Sequence, residues 1–177
     1  MGNRIPPKPN NGRYKQGRYI CQNPDKYLGN LDTVYYRSSW EQKLYYYLDT
    51  NRYISRWSAE SIAIPYEINE KGMWSSHRYY PDAFCEILKQ DGSTQRVVIE
   101  IKPWSEFSSD KDEILQPPKE PKNKTAKSLK NYEYALRTFQ KNIIKWQAAK
   151  QFCERRGMEF FIMTPKFFQE SNKIKLF

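Results

Sequence analysis

The chain has 177 residues, of which 38% are apolar and 16% aromatic, and 30 Lys and Arg against 20 Asp and Glu give a net charge of +10. This length suits one domain, and the aromatic content argues against a chain disordered throughout. No apolar run is long enough to cross a bilayer, so no membrane partner is expected, and the single histidine, His77, argues against chemistry that needs two.

Residues 1–30 hold prolines, glycines and asparagines without periodicity and read as an extended basic arm. Six Lys and Arg stand there against Asp25 alone. A first helix follows. Ser38 can cap it, and Glu41 sits at the position of a capping-box carboxylate. Trp40, Leu44 and Leu48 recur at helical spacing, and the helix should end near Asp49–Arg52. After a segment around Trp57–Glu60, the alternation of Ile62, Ile64, Tyr66 and Ile68 predicts a strand, and Asn69-Glu70-Lys71-Gly72 supplies a turn. A second strand is predicted from Arg78 to Leu88. Asp91-Gly92 is a hairpin signal, and Arg96–Lys102 is a third, central strand. An irregular Pro- and Lys-rich insertion is expected at about 103–130. A long helix should then run from Asn131 to Arg156, with Leu136, Phe139, Ile143, Trp146 and Phe152 on its buried face and Gly157 ending it. The fourth strand is Glu159–Thr164, parallel to the third because a helix connects them. The expected fold is α/β (α+β): a mixed central sheet with flanking helices, in the order helix, three strands, helix, strand. The single domain should cover residues 31–177.

Residues 131–156 carry a second basic excess, six Lys and Arg against Glu133 and Glu154. Charge of this kind suggests a polyanion, most often nucleic acid. Solubility and an acidic protein partner are the other readings. Cys21, Cys85 and Cys153 form no CxxC pair, so they read as reduced thiols rather than zinc ligands.

Chemistry is suggested by Asp82 on the second strand and Glu100-Ile101-Lys102 on the third. Residues i and i+2 of a strand share a face, so Glu100 and Lys102 project together while Val97, Ile99 and Ile101 fill the other side. The Asp91-Gly92 hairpin can bring Asp82 beside Glu100. Two carboxylates suit a hard cation that keeps several waters, Mg²⁺ or Mn²⁺. Such a centre can hydrolyse a phosphodiester, with Lys102 orienting or deprotonating water, or offsetting developing charge. The alternative is an ordinary same-face ion pair between Glu100 and Lys102. For Glu41 the alternative is the cap alone.

An ordered set of motifs spans roughly residues 34–165. It comprises Tyr36-Arg37-Ser38-Ser39-Trp40-Glu41, Trp57-Ser58-Ala59-Glu60, Ile64-Pro65-Tyr66 and His77-Arg78-Tyr79-Tyr80-Pro81-Asp82. Ile99-Glu100-Ile101-Lys102-Pro103, Gln116-Pro117-Pro118, Asn142 and Lys145-Trp146 follow. This set resembles the head completion nucleases of tailed bacteriophages, within the PD-(D/E)xK superfamily, and is similar to the catalytic part of transposon-end nucleases. Ala83 departs from it, standing where a large residue is expected, and residues 1–30 have no counterpart.

The resemblance implies a metal-dependent deoxyribonuclease acting on double-stranded DNA in phage packaging and head completion. It implies Asp82 and Glu100 as metal ligands, Lys102 as the catalytic lysine, and Glu41 as a third carboxylate for the metal. Arg37, Asn142 and Lys145 become expected DNA contacts, with a solvated helix face as the alternative for the last two. Trp40, Trp57 and Trp146 read as core, and His77 as a structural residue. Phage head or portal proteins are the expected protein partners, and virion and host cytoplasm the expected location. Two other readings stay open: a virion structural or DNA-binding protein with an idle nuclease centre, and a restriction- or transposition-type endonuclease.

Overall fold

The computed structural model describes residues 15–70, 72–102, 117–164 and 167–168. Along the chain these form β1 (Gly17–Arg18), β2 (Tyr35–Tyr36), α1 (Ser39–Thr50), β3 (Ile54–Ala59), β4 (Ile64–Glu70), β5 (Met73–Tyr79), β6 (Ala83–Leu88), β7 (Thr94–Ile101), α2 (Ala126–Glu154) and β8 (Glu159–Met163). The main sheet has the order β3-β6-β7-β8. β7 and β8 are parallel across the α2 connection, and the other pairs are antiparallel. β4 and β5 form a separate two-stranded ribbon, and β1 pairs with β2. The expected mixed sheet with flanking helices is therefore present. Among the described residues no helix is long and apolar enough to cross a membrane.

β7 occupies the centre because both of its faces are covered. Val97, Ile99 and Ile101 enter a core shared with Leu44, Leu48 and Trp57, on the α1 side. A second core joins Ile64, Tyr66, Ile68 and Tyr79 of the ribbon to Trp146 and Ala149 of α2. Asp91-Gly92 makes the β6–β7 hairpin as expected. Gly92 takes φ 81° and its N–H donates to the Lys89 carbonyl at 3.0 Å. Gly157, at φ 61°, follows α2 as expected.

Four boundaries differ from the sequence reading. The predicted strand 78–88 breaks at Pro81, which has no N–H to give a ladder. β5 therefore ends at Tyr79 in the ribbon, and β6 begins at Ala83 in the main sheet. The segment around Trp57–Glu60 is itself a sheet strand, β3, paired with β6. α2 starts at Ala126 rather than at 131, because Thr125 caps it by accepting from the Ser128 N–H at 3.2 Å. Of the expected insertion, 117–125 is irregular, 126–130 is helical, and residues 103–116 lie outside the described residues.

The buried residues of α2 are Asn142, Trp146, Ala149 and Cys153, while Leu136, Phe139, Ile143 and Phe152 are only half-buried. The two small residues let the helix lie close on its neighbours. Trp57 and Trp146 are core, at 0% and 7% exposure. Trp40 is instead half-buried and stacks with Phe168, ring centroids 6.3 Å apart.

Residues 15–30, read above as part of an arm, are bound to the domain. Tyr19 is buried, and its N–H donates to the Val34 carbonyl at 2.8 Å. The Leu28 N–H donates to the Trp57 carbonyl at 2.7 Å. Asp49, fully buried on α1, accepts from the Tyr19 hydroxyl at 2.9 Å and from the N–H groups of Gln22 and Asn23 at 2.6 and 3.0 Å.

Candidate active site

Pro81 places Asp82 in the bend between the ribbon and the main sheet, half-buried. The antiparallel ladder pairs Ala83 with Ile99, so the next step along it carries Asp82 toward Glu100. The Ile101 N–H donates to Asp82 Oδ2 at 2.7 Å, and the Asp82 carbonyl accepts from the Glu60 N–H at 3.0 Å. The bend is thereby tied to the ends of both β7 and β3.

Glu100 is buried, at 6% exposure. Its Oε2 accepts from the Tyr79 hydroxyl at 2.6 Å, and its Oε1 pairs with Lys102 Nζ at 3.1 Å. Burial, followed by the negative charges of Glu100 and Glu41, pushes the Asp82 carboxyl well above the usual carboxylate range. The Ile101 N–H and Lys102 offset only part of this. Burial and the charge of Glu100 also raise the Tyr79 phenol, which keeps it a donor.

Glu41 is buried on the first turn of α1, at 8% exposure. It accepts from the Arg37 N–H at 2.8 Å and from the Ser38 hydroxyl at 2.9 Å, while Ser38 Oγ accepts from the Glu41 N–H at 3.1 Å. The capping arrangement expected from the sequence is thus formed. It does not exhaust the carboxylate, whose two oxygens have about four lone-pair positions. Burial raises the Glu41 carboxyl above its ordinary value, and the bonds from Arg37 and Ser38 work against that.

From α2, Lys145 brings Nζ within 5.3 Å of the centre of the Tyr79 ring. Burial holds this lysine below its usual range, and the carboxylates of Glu100 and Asp82 pull it back up. Asn142, one turn earlier, is buried at 7% exposure. Neither residue lies on a solvated face. Arg37 is half-exposed and its Nε lies 3.4 Å from Glu60 Oε1. His77 takes no part: it stacks on Tyr66 and bonds to Ser75.

Two residues of this neighbourhood were quoted in the sequence motifs without a role. Tyr79 orients Glu100. Glu60 takes φ 40°, rare for a residue with a side chain, and its backbone holds Asp82 while its carboxylate holds Arg37. Sequence periodicity carries no signal for either, because Tyr79 is the last residue of β5 and Glu60 follows the last residue of β3.

Among the described residues, no three His, Cys, Asp or Glu side chains stand together as a ready metal cage. Glu41 is turned toward its cap and does not close one with Asp82 and Glu100. Mg²⁺ needs no such cage, since it is commonly held by one or two carboxylates with waters and phosphate oxygens. The donor set fits that pattern. Burial and the neighbouring negative charges both raise Asp82, and a cation held by these carboxylates would offset both.

A family model described as "TnsA-like endonuclease N terminal" matches residues 51–165. The head completion nuclease of Enterobacteria phage T4 is 35% identical over 148 residues, covering 84% of this chain and 89% of that protein. No solved structure gives a significant match. The family match reaches from β3 through β8 and contains Asp82, Glu100 and Lys102, and the fold around it is a mixed sheet between helices. The chain belongs to the TnsA-like endonuclease family and is a nuclease on a PD-(D/E)xK fold.

Proposed function

We propose that the chain is a metal-dependent deoxyribonuclease that hydrolyses phosphodiester bonds, with Asp82, Glu100 and Lys102 as its centre. The observation that carries this reading is the tie between the Asp82 bend and the Glu100–Lys102 strand, with Lys102 Nζ 3.1 Å from Glu100. Asp82 and Glu100 would hold Mg²⁺ or Mn²⁺, with Glu41 behind them. Bound there, such an ion acidifies water and offsets phosphate charge. Tyr79 fixes one oxygen of Glu100 and Lys102 the other, so the carboxylate cannot swing away. In this ion pair Lys102 is an ammonium without a free lone pair. It therefore positions the attacking water and offsets charge that gathers on the phosphate oxygens, rather than taking a proton. The water oxygen bonds to phosphorus and gives its proton to bulk water, the bond from phosphorus to the leaving sugar oxygen breaks, and the leaving oxygen takes a proton from bulk water. Arg37, Asn142 and Lys145 contact the DNA backbone around the cut phosphate.

The test is incubation of purified protein with supercoiled, linear and branched DNA in the presence of Mg²⁺, Mn²⁺ or EDTA. Cleavage should require the metal, and Asp82→Ala and Glu100→Ala should abolish it while the fold is kept. A Glu100→Ala protein that cuts at the native rate overturns the assignment. Likeness to the phage T4 protein further supports a setting in phage head completion and DNA packaging, in the virion and the host cytoplasm, with head or portal proteins as partners. There the chain should sediment with phage heads. If Glu100→Ala completes heads as well as the native chain, the protein serves as a structural component with an idle centre.

A further inference from the structure

At 29 residues α2 is much longer than β8, the strand it leads into. Its first half buries no residue, since Asn142, Trp146, Ala149 and Cys153 all lie in the second. A helix turns about 100° per residue, so Lys127, Lys130, Tyr134, Arg137, Lys141 and Lys145 fall within an arc of about 80° and make one row along it. Lys127, Lys130, Tyr134 and Arg137 are exposed, Tyr134 at 75%, and Lys141 and Lys145 are half-buried. Beyond Lys145 the same side of the helix turns apolar, where Ala148 and Phe152 pack against the second core. The acidic residues of α2 are Glu133 and Glu154. Glu133 flanks the row, 4.0 Å from Arg137 with both groups exposed, and Glu154 stands at the far end of the helix. The charge of the row is therefore strongly positive and is not cancelled on its own face.

The place where the row stops decides its occupant. Val97, Ile99 and Ile101 enter the core on the α1 side of the sheet, so strand alternation puts Glu100 and Lys102 on the α2 side. There Lys145 Nζ lies 5.3 Å from the centre of the Tyr79 ring, whose hydroxyl donates to Glu100 at 2.6 Å. Besides burial, the charges of Glu100, Lys102, Lys141 and Asp82 all act on Lys145. A phosphate held at the proposed centre therefore meets the inner end of the row, and the phosphates that follow it carry the charge that the row complements. A helix rises about 1.5 Å per residue, so the row spans roughly 27 Å, the length of about eight base pairs.

We propose that the row from Lys145 to Lys127 is a track for the DNA backbone on one side of the cut, up to about eight base pairs long. The proposal rests on the nuclease reading and adds a substrate requirement: DNA that continues past the cut on that side, so that the chain cuts within DNA in preference to its end. Lys127, Lys130, Arg137 and Lys141 neutralise phosphates, the Tyr134 hydroxyl donates to one, and no base is read.

The experiment first measures duplex binding against salt with proteins that carry Glu100→Ala, so that DNA survives. Lys127→Ala, Lys130→Ala and Arg137→Ala together should lower the slope of log affinity against log salt by up to about 2.7, at roughly 0.9 for each contact. Lys43→Ala, Arg52→Ala and Lys89→Ala together remove as many exposed cations from elsewhere and should leave the slope unchanged. Glu133→Gln frees Arg137 and should tighten binding. The substituted side chains are exposed, alanine favours a helix, and thermal unfolding checks that the variants fold. Cuts are then mapped on end-labelled linear duplex with Glu100 in place. The native chain should cut less often within about eight nucleotides of the same end of each strand, where the row would hang past the DNA, and the variant lacking Lys127, Lys130 and Arg137 should lose that bias. If the native chain cuts DNA but this variant keeps the native slope, or the control set lowers it as much, the track falls alone. Native cuts spread evenly up to both ends also overturn it. If the native chain neither cuts nor binds DNA, the nuclease reading falls and takes this one with it.

Discussion

Glu41 holds two places at once. Its oxygens accept from Arg37 and Ser38 at the start of α1, and its charge is one of those that raise Asp82. Substitution separates the two. Glu41→Gln keeps an oxygen for the cap and removes the charge, so its melting temperature should hold while cleavage falls sharply. Glu41→Ala loses the cap as well, at about 1 kcal/mol, which is roughly 2–4 °C for a chain of this size. Thermal unfolding and a cleavage assay on the two proteins measure this, and normal cutting by Glu41→Gln leaves the cap as the only role. At this scale the sequence was legible wherever spacing alone decides. Glu100 and Lys102 are two apart on a strand, and a hairpin signal stands between them and Asp82. Tyr79 was not legible, since a strand assumed to continue through Pro81 would send residues 79 and 82 to opposite faces. Glu60 was not legible because its distinguishing feature is a backbone angle.

The clearest departure among the elements is the segment before α1. Its composition, with prolines, glycines and no period, is that of an arm, but composition says nothing of a buried carboxylate elsewhere. Asp49 on α1 gathers the Tyr19 hydroxyl and the N–H groups of Gln22 and Asn23, and Tyr19 and Tyr27 meet the edge of Trp57. The aromatic residues that looked scattered in the sequence thus have a common target. Asp49→Ala should cost about 3 kcal/mol or more, because it strands several donors that have lost water. That is about 6–12 °C in melting temperature, with proteolysis entering first within residues 15–30. A melting temperature equal to the native one would show that the clasp contributes nothing. α2 teaches the same lesson in reverse. Its existence and its stop at Gly157 follow from periodicity and one glycine, but its packed face does not. Close approach selects Asn142, Ala149 and Cys153, where a hydrophobicity pattern selects Leu136 and Phe139.

The whole molecule combines a mixed sheet that carries the proposed centre with a net charge of +10, and this decides what truncation can reveal. Removing residues 1–30 removes Tyr19 with the donors to Asp49 and uncovers Trp57, so that protein should unfold at a lower temperature than the native chain. Its loss of DNA binding would then say little about electrostatics. Removing residues 1–14 alone spares the clasp and deletes Arg4, Lys8 and Arg13 without deleting an acidic residue. If these cations neutralise phosphates, the slope of log affinity against log salt should flatten by up to about three, at roughly 0.9 for each contact. Affinity should fall equally for different sequences, because backbone contacts carry no sequence information. The measurement is a salt titration of binding for both lengths in the Glu100→Ala background, with melting temperatures recorded beside it. Equal slopes at equal melting temperatures would assign these charges to an acidic protein surface, such as that of a phage head, and leave α2 to hold the DNA.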